Sequence, residues 1–432
     1  MMQRYFWIFA LLPLTACSTP TTPRVHVSIS VDWEGRDLSA INLNAFRTLR
    51  KAHPNVPLTH FLNAAYFTKR DANATRVQAD IRRALRPGDE LGLHIHPWKT
   101  LVEAAGVKFR TEPTIWGKGR PMRRSTYMGI SGKDAKNGAL LSVVTPDGPA
   151  AKAGLKIGDL ITKMGDKNIA AYADIPATVR NASGGEKTKI QFKRDGAEQI
   201  VELTYGSRGD SGHEIAVEAY TTDEFEAITR KSQALLQANG FEIGHSFRAG
   251  AWLAGPHVRE AIRRAGFLVD SSSTDTVWHD EIAHTELPSM MKKIWPTVTR
   301  LSQPFLIETP AGMILEMPDT GALADYVTAQ EMSDHVDEAV NLIQNNQDRY
   351  VHIGFHQETA ARYLPRVTAA IKSIKAKHGS LVVFETLETS AQHARQNNST
   401  LQSNGHGPQQ LSNLRFALAI LPPDQDRGSR GW

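Results

Sequence analysis

Cysteine is almost absent: the only one among the 432 residues is Cys17. That excludes an intramolecular disulfide framework and a cysteine-ligated zinc site. Runs of lysine or arginine interleaved with aromatics are also missing, and the net charge of +5 is modest. Both facts argue against nucleic acid as a partner. Beyond the N-terminus no stretch is apolar for about 18 residues, the length at which a helix crosses a bilayer. The remainder, 41% hydrophobic and 22% charged, is ordinary globular composition with room for two or three domains.

The N-terminus carries its own pattern. Arg4 gives a short positive region, Tyr5 to Leu14 an apolar one, and Leu14-Thr15-Ala16-Cys17 places small residues before the cysteine. This tetrapeptide resembles the bacterial lipobox, which implies residues 1–16 as signal peptide and lipidation at Cys17, with 17–24 as a tether. Ser18 is not the aspartate associated with inner-membrane retention. The expected location is therefore the outer membrane, through the lipid, facing the periplasm.

Downstream the chain alternates strand and helix. Val25 to Val31 alternates β-branched residues, a strand by period, and Glu90 to His96 reads as another. Helices are expected over 75–86, 223–238, 257–265, 329–346 and 359–377, and strands over 241–247, 267–270, 350–355 and 381–386. Such alternation argues for a parallel sheet or barrel. Residues 391–432, rich in Asn, Gln, Ser, Gly and Pro, read as a disordered tail.

The stretch 123–208 breaks the rhythm with short strands and glycines. It holds Tyr127-Met128-Gly129-Ile130, Gly148-Pro-Ala-Ala-Lys-Ala-Gly-Leu155 and Gly158-Asp159-Leu-Ile161. It resembles a PDZ domain of the bacterial envelope type, inserted between two halves of another domain, 25–122 and 209–390. PDZ domains bind a C-terminal peptide as an added strand, with the carboxylate held by a glycine-containing loop. The resemblance assigns that loop to Tyr127, Met128, Gly129 and Ile130. The module either recruits a partner protein, regulates access to a site on the larger domain, or serves as a spacer.

In the larger domain, ionisable and aromatic residues gather at strand ends. Asp32 and Glu34 share the parity opposite to the apolar residues of the first strand. His94 and His96 share parity at the end of another, followed by Pro97-Trp98. Arg248-Ala-Gly-Ala-Trp252, Asp270 and His356 close three more. Each singly has a dull explanation, as a cap, an ion pair or a core residue. Recurrence at successive strand ends is the arrangement expected at the catalytic face of a barrel.

In content and order these motifs resemble those of polysaccharide deacetylases, over roughly residues 25–388 apart from the insertion. The resemblance implies a distorted (β/α)7 barrel that hydrolyses N-acetyl groups on a polysaccharide with a bound divalent metal, commonly zinc. By the same resemblance Asp32 is the general base and His356 the general acid. Arg248 orients Asp32, Asp270 tunes His356, and Trp252, with Trp98, lines the substrate pocket. His94 and His96 are metal ligands. Two departures stand out. Trp33 occupies the place of the family's second aspartate, which makes Glu34 the candidate third ligand and leaves Asp32 as the alternative. The family's histidines are commonly four apart, whereas position 98 is Trp. An inert glycan-binding barrel serving as a PDZ adaptor is the alternative function.

Overall fold

The computed structural model describes residues 23–396, except 70–71, 116–125, 180–181, 183–184, 208–211, 279–284, 322 and 344–346. Cys17, the signal peptide and the boundary residues Arg123 and Arg208 lie outside the described residues. Two units are present, each with its own hydrophobic core.

The larger unit is built on a curled, mainly parallel sheet. In chain order its strands are β1 (Val25–Asp32), β2 (Thr59–Leu62), β3 (Glu90–Ile95), β4 (Ser246–Ala249), β5 (Val269–Asp270), β6 (Phe305–Thr309), β7 (Gly312–Glu316), β8 (Arg349–His356) and β9 (Val382–Glu385). They lie in the order β6-β7-β5-β4-β3-β2-β1-β8, with β9 pairing the first half of β1. Only the β6–β7 hairpin is antiparallel. Beyond β7 the chain continues irregularly and bridges to β8. Met317 N–H donates to Asp270 O (2.8 Å), Asp319 N–H to Ser273 O (2.8 Å), Gly321 N–H to His352 O (2.6 Å) and Ala324 N–H to Gly354 O (2.7 Å). Gly321 permits this crossing, because a Cβ there would stand 2.1 Å from the His352 carbonyl oxygen.

β1 shows how sequence sets the two faces. Val25, Val27, Ile29 and Val31 enter the main apolar core. His26, Ser28, Ser30 and Asp32, the alternate positions, are equally buried but make polar contacts. A strand buried on both faces is what a parallel sheet covered by helices requires. Helices Thr222–Ala238 and Ala329–Asn341 start at capping boxes, Thr221 with Glu224 and Thr328 with Glu331.

Several expected elements differ in extent. The strand expected from 241 begins at Ser246, and the helix expected to 346 is described as Ala329–Asn341. β2 and the β6–β7 hairpin had no sequence expectation. Residues 391–396, expected in the tail, complete the helix Leu387–Gln396, which buries Ala391 and Ala394. Among the described residues no helix is long and apolar enough to cross a membrane.

The smaller unit, between Thr126 and Ser207, has a sheet that includes strands Ile130–Ala135, Gly138–Val144, Leu160–Met164, Lys187–Arg194 and Ala197–Thr204, and helices Pro149–Lys152 and Asp174–Val179. Thr126–Tyr127 pairs with Gly206–Ser207 at its neck.

Candidate metal centre

Three side chains meet where β1 and β3 end. Glu34 lies two residues past β1, His94 is on β3, and His96 is just beyond it. Their ligand atoms all lie within 4.8 Å of one another, and all three residues are buried. Glu34 Oε1 is 3.3 Å from His94 Nε2, and Oε2 is 3.0 Å from His96 Nε2.

The other ring nitrogens fix the tautomers. His94 Nδ1 is 2.9 Å from the Arg248 carbonyl oxygen, and His96 Nδ1 is 2.9 Å from that of His213. A carbonyl oxygen only accepts, so both Nδ1 atoms carry the proton. Both Nε2 atoms then face the Glu34 carboxylate. Two imidazole nitrogens and a carboxylate, with each imidazole anchored through its far nitrogen, suit a cation of the zinc class.

The turn after Glu34 is tightly built. Gly35 has φ +75°, and a Cβ there would stand 2.8 Å from Trp98 Nε1. Trp98 Nε1–H donates to the Glu34 carbonyl oxygen (2.8 Å). Glu358 accepts from the Glu34 and Arg36 N–H groups, each at 3.2 Å, and from the Tyr66 hydroxyl. Burial and the nearby Glu34 and Asp37 push the Glu358 carboxyl up to about 7. Burial opposes ionisation of Glu34 as well. The pull of His96, with hydrogen bonds from His213, His94 and His96, outweighs it and holds this carboxyl well below the usual range. Gly250 serves His96 in a similar way: a Cβ there would meet the Ile95 carbonyl oxygen at 2.7 Å and the His96 ring at 2.8 Å.

Asp32 occupies a separate polar nest. Arg248 Nη1 donates to Asp32 Oδ1 (3.0 Å) and Oδ2 (3.2 Å) and to Ser30 Oγ (2.9 Å). The same guanidinium holds the Ser271 carbonyl and hydroxyl, contacts His352 Nε2 (2.7 Å), and stacks on Phe61. Asp319 Oδ2 lies 3.6 Å from Arg248 Nη1 and accepts from Trp252 Nε1 (2.9 Å). Trp252 in turn neighbours Tyr326, which stands edge-on to His356.

His356 Nε2 is 3.6 Å from Glu34 Oε1, and its Nδ1 is 3.1 Å from Asp325 Oδ2. Burial alone would lower this imidazole, but the Asp325 carboxylate, aided by Glu34 and Asp32, raises it to about 10. It is therefore an imidazolium at neutral pH.

The structure thus brings Glu34, His94, His96 and His356 together and sets Asp32 against Arg248. Two expectations need correction. Asp270 does not lie beside His356. It accepts from Ser272 and pairs in register with Glu316, and burial raises its carboxyl to about 6. The partner of His356 is Asp325. Trp98 is 3% exposed and holds the Glu34 main chain rather than forming a pocket wall. The Met128 side chain enters the core of the smaller unit, and its carbonyl accepts from Ala150 N–H. Gly129 has φ +77°, its carbonyl accepts from Thr145 N–H (2.8 Å), and Tyr127 lies at the neck. Ile130 opens a terminal strand of that sheet, whose outer edge has no strand partner among the described residues.

His213 was not anticipated. It sits in the connection that returns from the smaller unit. Its Nε2 bonds Glu34 Oε2, its ring stacks on His96 at 4.2 Å, and Arg36 Nη2 faces its Nδ1 at 3.5 Å. Burial, with His96 and Arg36 nearby, lowers it to about 3, so it is neutral. An arginine only donates, so Nε2 carries the proton and donates to Glu34. A lone histidine in a polar linker gives no periodic signal by which sequence could have found it.

Residues 126–204 match the family model of the PDZ domain, so the smaller unit is a PDZ domain. Among curated proteins, one from Marinomonas sp. (strain MWYL1), described as a periplasmic serine endoprotease, DegP-like, is 32% identical over 137 residues, 32% of this chain and 29% of that protein. Another so described, from Pseudomonas savastanoi pv. phaseolicola, is 39% identical over 93 residues, 22% of this chain and 19% of that one. The chain therefore spans less than a third of either relative. Among solved structures, a protein from Mycobacterium smegmatis described as a polysaccharide deacetylase aligns over 98% of this chain and 100% of its own, with 11% identity and a TM-score of 0.42. At that score the alignment carries no argument.

Proposed function

We propose that the larger unit, read as a distorted (β/α)7 barrel, is a metal-dependent hydrolase. It removes N-acetyl or related amide-linked groups from a polysaccharide of the cell envelope or an exported glycan. The observation that carries this reading is the convergence of the ligand atoms of Glu34, His94 and His96 beside a charged His356. These three residues would hold the metal, and a zinc-class ion supplies Lewis-acid polarisation of an amide carbonyl and an acidified water. The remaining work falls to the chain's own groups. Arg248, itself braced by Ser30, fixes the Asp32 carboxylate, which takes a proton as general base. The His356 imidazolium, held by Asp325, donates a proton to the departing amine nitrogen. Trp252, anchored on Asp319, is the candidate substrate contact.

The PDZ domain, in this reading, captures the C-terminal peptide of a partner protein through the Gly129 loop and the open edge beginning at Ile130. The lipobox at Cys17 tethers the protein to the outer membrane, facing the periplasm.

The test pairs metal analysis with acetate release from an N-acetylated oligosaccharide. The wild-type chain releases acetate and holds zinc at this centre, and His96→Ala abolishes both while the circular dichroism spectrum is kept. Metal binding without turnover on any N-acetylated glycan would leave the glycan-binding adaptor as the better account. Undiminished metal and activity in the variant would refute the ligand set.

A further inference from the structure

A second convergence of ligand atoms lies at the other end of β1, six residues from Asp32. His26 Nδ1 is 2.8 Å from Glu385 Oε1, and His393 Nδ1 is 3.2 Å from the same oxygen. The three ligand atoms lie within 4.8 Å of one another. His26 and Glu385 are 6% and 8% exposed, whereas the His393 side chain is 40% exposed. The residues come from three elements: β1, β9 and the helix Leu387–Gln396. We propose that this cluster is a second metal site, which binds a divalent transition-metal ion of the zinc class and ties the last helix to the sheet.

Three features support a built site. Tetrahedral coordination at about 2.0–2.1 Å sets ligands roughly 3.3 Å apart, and the separations here, 2.8 and 3.2 Å, match those at the first centre, 3.0 and 3.3 Å. Next, the far nitrogen of His26 faces a carboxylate, Asp348 Oδ2 at 3.4 Å. A carboxylate behind a ligating imidazole fixes its ring and tautomer. Last, the cluster is braced. The His26 ring stacks on Tyr350 at 5.0 Å, and Ser390 Oγ donates to Glu385 Oε1 (2.8 Å) while contacting Ser28 Oγ (3.0 Å). Two imidazoles and one carboxylate favour zinc-class ions over calcium or magnesium, which take oxygen ligands. The exposed side of His393 admits the water that completes the shell.

A proton is the competing occupant. Burial opposes charge on His26, but Asp348 and Glu385 together raise its imidazole to about 9. Without a metal, His26 donates to both carboxylates, and the ion must displace that proton. Nothing here depends on the activity proposed above.

The test is zinc stoichiometry of the purified full-length chain after equilibrium dialysis, read by elemental analysis, together with melting temperature with and without zinc. The wild-type chain should hold two zinc ions. His393→Ala, at a half-exposed position that folding tolerates, and Glu385→Gln should each hold one and lose part of the zinc-dependent rise in Tm. His94→Ala should also hold one, which separates the two sites. If the wild-type chain holds one zinc that His393→Ala removes and His94→Ala does not, this proposal stands and the first centre fails. Wild-type stoichiometry in both His393→Ala and Glu385→Gln would overturn it. So would a single zinc that only His94→Ala removes, because the cluster would then hold a proton alone.

Discussion

In a His213→Ala chain the Glu34 carboxylate loses the imidazole that donates to its Oε2, while the main-chain carbonyl that accepts from His96 Nδ1 remains. The two roles of His213 are thereby separated. Hydrogen bonds to charged groups contribute about 1.5–3 kcal/mol, and loss of an outer partner of a metal ligand typically weakens metal affinity about 10–100-fold. At about 1.4 kcal/mol per tenfold the two estimates coincide. Zinc affinity of the Glu34–His94–His96 centre should therefore fall by about one to two orders of magnitude, read by competition with a chromogenic chelator in a His393→Ala background. His213→Gln retains an amide donor and should recover part of the loss. Unchanged affinity in His213→Ala, or identical affinities in the two variants, would refute the role assigned to this bond.

Asp325→Asn removes the carboxylate that raises the His356 imidazole from its ordinary 6.5 to about 10. That ion pair stabilises the fold fully below pH ~6.5 and is lost as pH rises through ~10. The variant should melt lower at pH 7, the two melting curves should converge above pH ~10, and the alkaline limb of any pH–rate profile should move toward neutrality. Gly250→Ala places a methyl 2.8 Å from the His96 ring. It should weaken zinc binding as strongly as His213→Ala with a smaller effect on peptide binding by the PDZ domain, which titration with C-terminal peptides would check. Replacing residues 126–204 by a short Gly/Ser linker leaves Trp98, His213 and Glu34 in the chain. Acetate release from small soluble oligosaccharides should survive, and its loss would make the PDZ domain part of the working site.

The legibility of this chain follows from how its signals are encoded. β1 reads clearly because period-two alternation puts valine and isoleucine on one face and His26, Ser28, Ser30 and Asp32 on the other. The long helices were visible as the segments that alternate with strands. β2 is four residues long with every position buried, too short for a period, and the β6–β7 hairpin turns on Pro310 and Ala311 without a strong two-residue turn signal. In the site, Glu34, His94, His96 and Arg248 were legible because strand parity places them at one end of the sheet. Asp325 and Asp319 were not: both lie in the irregular run after β7, where no periodicity fixes the direction of a side chain. Asp270 was misplaced for a related reason. The order of motifs along the chain carries no information about which acid an imidazole meets in space.

The insertion bears on the site through its return path rather than through its core. The PDZ core is self-contained, and Thr126–Tyr127 pairing with Gly206–Ser207 closes its neck. The chain reaches His213 six residues past Ser207, where Gly212, at φ +123°, leaves a Cβ position only 2.4 Å from the Pro97 carbonyl oxygen. The return segment is therefore pressed against the turn that follows His96. His213 then grips the centre twice, through its carbonyl on His96 and its imidazole on Glu34. A loop of equal length ending elsewhere would leave His96 Nδ1 without this acceptor and free its tautomer. The segment that carries Gly212 and His213, rather than the inserted domain itself, is thus a structural part of the centre.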